Sequence, residues 1–230
     1  MRTIGLIGGM SWESTVPYYQ TINRVVSARL GGLHSARLVL FSVEFHEIEV
    51  LQHERRWQEA GEILAEAARA VRRAGAEAIV LCTNTMHKVA GQIEAAVDVP
   101  LLHIADATAA RVKQAGVSRV GLLGTKFTME QKFYRGRLEA KHGLEVLTPP
   151  AAHRDLVHAV IYGELCLGRV EEPSRKAYRQ IVSDLVEQGA QGVILGCTEI
   201  GMLLRPEDAA VPLFDTAAIH AEAAADWALA

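Results

Sequence analysis

The chain has 230 residues, half of them hydrophobic, enough for a sizeable core in one large or two small domains. A formal net charge of −3 gives no electrostatic case for nucleic acid or a membrane surface as partner. The three cysteines, Cys82, Cys166 and Cys197, lack CxxC spacing, which argues against a disulfide framework or zinc cluster and for a reducing, cytoplasmic setting.

The N-terminal stretch Met1 to Gly9 is apolar but brief, with Trp12 and Glu13 directly after it. It lacks the length and cleavage pattern of a signal peptide, and no run approaches membrane-spanning length. Strand-like and helical segments then alternate, which favours α/β architecture with mostly parallel sheets. In chain order the pattern predicts a strand over 3–7, a helix over 14–30, a strand over 36–41 and a helix over 57–74. Strands over 78–81 and 119–123 follow, then a helix over 129–142 and a strand over 144–147. A helix over 173–188, a strand over 192–195 and a helix over 216–229 complete the chain. Within 57–74, the spacing of Glu59, Ile63, Ala67, Ala70 and Val71 predicts one packed helical face. Gly75 and Gly189 each fall just after a helix, where a C-cap glycine is expected. The glycines of Gly5–Gly9 match no GxGxxG or P-loop pattern, so they read as a tight turn at a strand tip. Their amides could still receive a substrate carboxylate.

One segment occurs twice. Gly75-Ala76-Glu77-Ala78-Ile79-Val80-Leu81-Cys82-Thr83-Asn84-Thr85 aligns with Gly189-Ala190-Gln191-Gly192-Val193-Ile194-Leu195-Gly196-Cys197-Thr198-Glu199, which sets Thr83 opposite Cys197. Each copy is an apolar, β-branched run ending in small polar residues, the pattern of a buried parallel strand presenting its C-terminal tip. Such tips are where open α/β sheets bind ligands. The repeat extends further: Ile4–Gly9 corresponds to 120–125, and 100–107 is echoed by 212–218. Two α/β halves are therefore expected, 1–105 and 106–211, with 212–230 returning to the first.

Cys197 sits at the polar end of its apolar strand, where amides and hydroxyls are expected to stabilise a thiolate. Cys82 falls on the opposite face from Thr83 by strand alternation and reads, like Cys166, as structural. The nine histidines show no HxH or HExxH spacing, so no metal is expected. His87 is expected on a helix surface or against a helix dipole, and His103 near the junction of the halves, where packing explains it as well as support of a site.

Thr83-Asn84-Thr85 resembles the first tip motif, Cys-Asn-Thr, of the aspartate/glutamate racemase family, and Gly196-Cys197-Thr198-Glu199 resembles its second. Met10-Ser11-Trp12-Glu13-Ser14-Thr15, Cys82 to Lys88, Leu102 to Thr108 and Gly121 to Thr125 are similar to the family's bacterial amino-acid racemase branch. The resemblance runs nearly end to end. It implies two similar Rossmann-like domains with parallel sheets, related by a pseudo-two-fold axis, with the active site in a cleft between them. It also implies racemisation of an acidic amino acid without a cofactor, and a homodimer. By analogy Cys197 is the base for the L-enantiomer and Thr83 stands on the opposite face, where the family has a thiol. Asn84, Thr85, Thr125 and Thr198 would hold the substrate carboxylate and ammonium. Glu199 either accepts from the ammonium or caps the following helix, and Met10 and Gln52 fall in segments that approach the cleft. The family's lysine for the side-chain carboxylate aligns with Cys166, and its arginine segment, 42–48, holds no arginine.

The departure at Thr83 leaves two competing readings. A one-thiol decarboxylase of the same superfamily would protonate a planar carbanion, and a silent amino-acid sensor would bind without exchanging protons.

Overall fold

The computed structural model describes residues 1–230 and divides into two compact units, residues 1–104 with 220–230, and residues 105–219. In the first, β1 (Ile4–Gly8), α1 (Trp12–Leu30), β2 (Leu38–Ser42), α2 (Phe45–His53), α3 (Trp57–Arg73), β3 (Ala78–Leu81), α4 (Ala90–Ala96) and β4 (Leu101–Leu102) build a parallel sheet ordered β2-β1-β3-β4. The chain crosses into the second unit at the start of α5 (Ile104–Gln114). There follow β5 (Arg119–Gly124), α6 (Lys126–Glu130), α7 (Arg135–His142), β6 (Glu145–Leu147), α8 (Ala151–Gly163), α9 (Glu172–Glu187), β7 (Val193–Gly196), α10 (Ile200–Leu203) and β8 (Leu213–Asp215), with sheet order β6-β5-β7-β8. The helix α11 (Thr216–Leu229) carries the chain back.

The sheets share more than their strand order. Gly5 pairs with Ile79 in the first and Gly121 with Val193 in the second, the same partners once the repeats are aligned. Gly75 and Gly189 both adopt φ +97°, a left-handed conformation that glycine accepts without a Cβ penalty. Each thus turns its helix into the inner strand, β3 or β7, whose residues are all buried. Fully buried strands with β-branched side chains are what a parallel sheet covered on both faces requires.

Several boundaries differ from the sequence expectation. Residues 213–215, assigned above to the returning segment, form a strand of the second sheet because β8 pairs with β7, and the return falls at His220. The expected helix 129–142 is two helices, broken where Gln131 is extended, and the break delivers Tyr134 fully into the core. On α3 the buried face runs through Ala60, Leu64, Ala68 and Val71, leaving Glu59 exposed and paired with Arg56. Gly61 also belongs to this face, since a Cβ there would collide with Gln92. The helices α2, α4, α5 and α8 were not anticipated.

Candidate active site

At the first tip, the β3 ladder ends where the Cys82 amide donates to the Ile7 carbonyl. The Thr83 amide then folds back to the Leu81 carbonyl at 2.9 Å, which turns the chain out of the sheet. Thr83, Asn84 and Thr85 are all buried, and a 3-10 helix begins at Thr85. The Thr83 carbonyl lies 2.7 Å from His87 Nδ1. Cys82 is fully buried beneath this tip with its thiol turned to the Val80 carbonyl, and burial pushes that thiol well above its ordinary range. It is an inert packing residue.

One amide of the glycine turn after β1 is engaged internally. The Gly9 amide donates to Thr15 Oγ1 at 2.9 Å, and that hydroxyl donates to the Ser11 carbonyl at 2.7 Å. The expectation that this amide is open to a carboxylate is therefore corrected. Gly9 has φ +92° and lies against the Val43 backbone, so a side chain there would be excluded twice over. Met10 joins the apolar core of the first unit with Leu51 and Met86. Gln52, on α2, donates to Met86 Sδ at 3.0 Å.

At the second tip, Gly124 and Gly196 end β5 and β7 side by side, and a Cβ on Gly124 would stand 2.7 Å from the Gly196 carbonyl oxygen. This close backbone approach sets Cys197 directly beyond the strand. Its thiol donates to Glu199 Oε2 at 2.9 Å, and Thr198 Oγ1 donates to the same oxygen at 2.8 Å. Glu199 is 1% exposed. It precedes α10 but makes no side-chain capping bond, so the capping role is not used. Burial first, then the Glu199 charge and Cys166, push the Cys197 thiol well above its ordinary range. The surroundings differ from the thiolate-stabilising ones expected, since the polar group nearest the thiol is a carboxylate, which raises it. Thr125, also buried, is held at the start of α6, its Oγ1 accepting from the Thr128 amide at 3.3 Å.

What the sequence missed is the support beneath the tips. His87 is buried, not on a helix surface, and packs against His103 with ring centroids 4.4 Å apart. The motif Thr83-Asn84-Thr85-Met86-His87 carried a usable signal, a ring-bearing donor four residues after the tip. No group of three or more histidine, cysteine, aspartate or glutamate side chains is placed to hold a metal ion, and no helix is long and apolar enough to cross a membrane.

Residues 7–224 match the family described as Asp/Glu/Hydantoin racemase. The broad specificity amino-acid racemase RacX of Bacillus subtilis (strain 168) is 23% identical over 99% of this chain and 98% of its own length. Among solved structures, a Yersinia pestis protein provisionally described as an Asp/Glu racemase is 61% identical, with TM-score 0.93 and full coverage of both chains. An aspartate racemase homologue from Pyrococcus horikoshii OT3 is 35% identical, with TM-score 0.85, again over both full chains.

Proposed function

We propose, from the premise that this chain belongs to the Asp/Glu/hydantoin racemase family, that it racemises aspartate, glutamate or both without a cofactor. Inverting a stereocentre requires one group to take the Cα proton and another to supply one on the opposite face. Cys197 takes the proton of the L-enantiomer, and the Thr83 tip serves the other face. The observation that carries this reading is the Cys197 thiol donating to the buried Glu199 carboxylate at the end of an inner strand. A buried thiol beside a carboxylate is a poor base until the local negative charge is relieved. An amino-acid substrate brings an ammonium, which relieves it by pairing with Glu199, so the thiol gives its proton to water as the substrate binds and the thiolate then takes the Cα proton. Asn84, Thr85, Thr125 and Thr198 offer hydroxyls and an amide for the substrate carboxylate.

Thermodynamics limits what the missing second thiol can mean. Enantiomers have equal free energy in water, so kcat/KM must be equal in the two directions of a reversible racemisation. The L-preference of this site therefore lies in separate kcat and KM values, and in exchange of the L-proton that outpaces inversion. The protein works as a homodimer in the cytoplasm. Support for a dimer comes from Trp12, Val16 and Tyr19, exposed at i, i+4 and i+7 along one side of α1.

Incubation with L- and D-aspartate and L- and D-glutamate in heavy water tests the proposal, with Cα deuterium followed by NMR and handedness by chiral chromatography. Exchange led by the L-side and lost in Cys197→Ala is expected. A folded, reduced protein that exchanges none of the four overturns it. Thr83 itself favours a second reading, a one-thiol decarboxylase, for which a malonate would release carbon dioxide in the same tubes.

A further inference from the structure

Three buried histidines of the first unit gather at the two points where the chain leaves and re-enters it. The chain leaves after Ile104 and returns at His220. His87 packs against His103, and its centroid is 6.0 Å from that of His220. His220 Nε2 lies 2.7 Å from the Leu102 carbonyl, and its Nδ1 lies 3.0 Å from the Tyr18 hydroxyl. His87 spans the tip and the exit: Nδ1 lies 2.7 Å from the Thr83 carbonyl, and Nε2 lies 3.3 Å from the Ile104 amide.

The proton assignments follow from the partners. A backbone amide can only donate, so His87 Nε2 must accept from Ile104. A carbonyl can only accept, so Nδ1 carries the hydrogen and donates to Thr83. One neutral tautomer satisfies both. The 3-10 geometry makes this bond available. The His87 amide takes the Asn84 carbonyl three residues back, leaving the Thr83 carbonyl, which an α-helix would have used, to the imidazole.

We infer that His87 is the positioning residue of the Thr83 tip, with its imidazole fixing the Thr83 backbone to the chain exit at Ile104. His87 touches no reacting atom in this scheme. It acts by holding the Thr83 peptide at one orientation, so that the hydroxyl and the adjoining Asn84 meet the substrate in register. The inference rests on the racemase reading above only for its kinetic readout.

Two conservative variants separate the bonds of the ring. Asparagine places an N–H where Nδ1 stands and keeps the Thr83 bond, while glutamine places an oxygen where Nε2 stands and keeps the Ile104 bond. For His87→Gln, inversion is expected to fall roughly tenfold or more while L-side deuterium exchange at Cys197 stays within about twofold. His87→Asn, which keeps the Thr83 bond but loses the Ile104 anchor, should fall between the parent and His87→Gln in inversion. A purely structural role would lower the two rates together and in proportion to the folded fraction, so an unchanged ratio of inversion to exchange in folded His87→Gln overturns the inference. Nitrogen NMR of the parent protein supplies an arm independent of activity. Protonated Nδ1 with bare Nε2 on His87 is expected, and the opposite tautomer sinks the inference. A parent that exchanges no acidic amino acid defeats the racemase reading, and the tautomer then decides the positioning claim by itself.

Discussion

Cys197 donates a hydrogen bond from its thiol to the Glu199 carboxylate across 2.9 Å, so the proposed base and the carboxylate beside it lie two residues apart on one turn. The turn brings them together because β7 ends at Gly196, whose lack of a side chain lets Leu122 and the Leu123 carbonyl close in. Burial and the carboxylate both push the thiol up, which is why the proposed mechanism couples its deprotonation to the binding of an ammonium.

Replacing Glu199 by glutamine removes the nearby negative charge that helps hold the Cys197 thiol up, although burial, the largest influence, remains. The midpoint for Cys197 alkylation by iodoacetamide should therefore move to lower pH, read by mass spectrometry of the Cys197 peptide. Inversion should nevertheless fall about ten- to hundredfold, because the charged partner that positions the substrate ammonium is lost. A midpoint that stays put or rises would show that Glu199 does not set the state of the thiol.

Thr83 occupies the position equivalent to Cys197 in the repeat, and a hydroxyl is a far weaker base than a thiolate near neutral pH. Thr83→Cys should raise the inversion rate at least about tenfold, with D-substrate exchange rising most. Both directions must gain equally in kcat/KM, which chiral chromatography from each enantiomer checks internally. A folded variant with reduced thiols and no gain would mean that residue 83 does not face the reacting carbon.

The repeat made the strand tips legible, because the alignment of Gly75 with Gly189 is kept in three dimensions as matching register and matching φ. The strand Ala78–Leu81 and the helix Thr216–Leu229 have the limits that their apolar runs predict. Short elements escaped. The two residues of β4 and three of β8 leave little room for a periodic pattern, and strands this short are defined by their neighbours. The face of α3 was read correctly at Ala67 and Val71 but displaced at its N-terminal end, where Gly61, which carries no hydrophobicity, is buried to admit Gln92, and Glu59 is exposed. The equivalence of Thr83 and Cys197 was legible from the repeat, and their proposed roles from the resemblance of the two tip motifs. Their partners were not, since the thiol–carboxylate bond depends on a tight turn and the His87 bond on a 3-10 helix in place of an α-helix.

His220 should make the first unit sensitive to mild acid. Burial pushes it down to about 4, from an ordinary histidine value of 6.5, even though the Leu102 carbonyl pulls the other way. Between those values the unfolded chain binds a proton that the folded unit refuses. Stability from this group is thus complete above about pH 6.5 and lost as the pH falls toward 4, by about 3 kcal/mol in all. All three tryptophans, Trp12, Trp57 and Trp227, lie in the first unit, so tryptophan fluorescence in urea follows its unfolding selectively. His220→Gln should flatten the slope between pH 6.5 and 4.5. An equal slope in parent and variant would assign the acid sensitivity elsewhere.

Asp106 is the corresponding acid-sensitive group of the second unit, in a lower pH window. It accepts from Arg137 at 2.7 Å through both carboxylate oxygens, from Lys141 at 2.7 Å and from His142 Nε2 at 2.8 Å, which ties α5 to α7. Partial burial, the largest single influence, raises its pKa, but the bonds from Arg137, Lys141 and His142 outweigh it and hold the carboxyl well below the usual aspartate range. A depressed carboxyl stabilises the fold above the unfolded value and loses that contribution as acid protonates it. Asp106→Asn should therefore cost roughly 1–3 kcal/mol at pH 7, since three cationic or protonatable partners lose a charged acceptor. The gap between parent and variant should narrow below about pH 4, where the parent's own contribution is being lost. Hydrogen exchange of the α5 and α7 amides reads this without interference from the first unit. A gap that stays constant down to pH 2 would mean that the aspartate acts through its shape and hydrogen bonds and not through its charge.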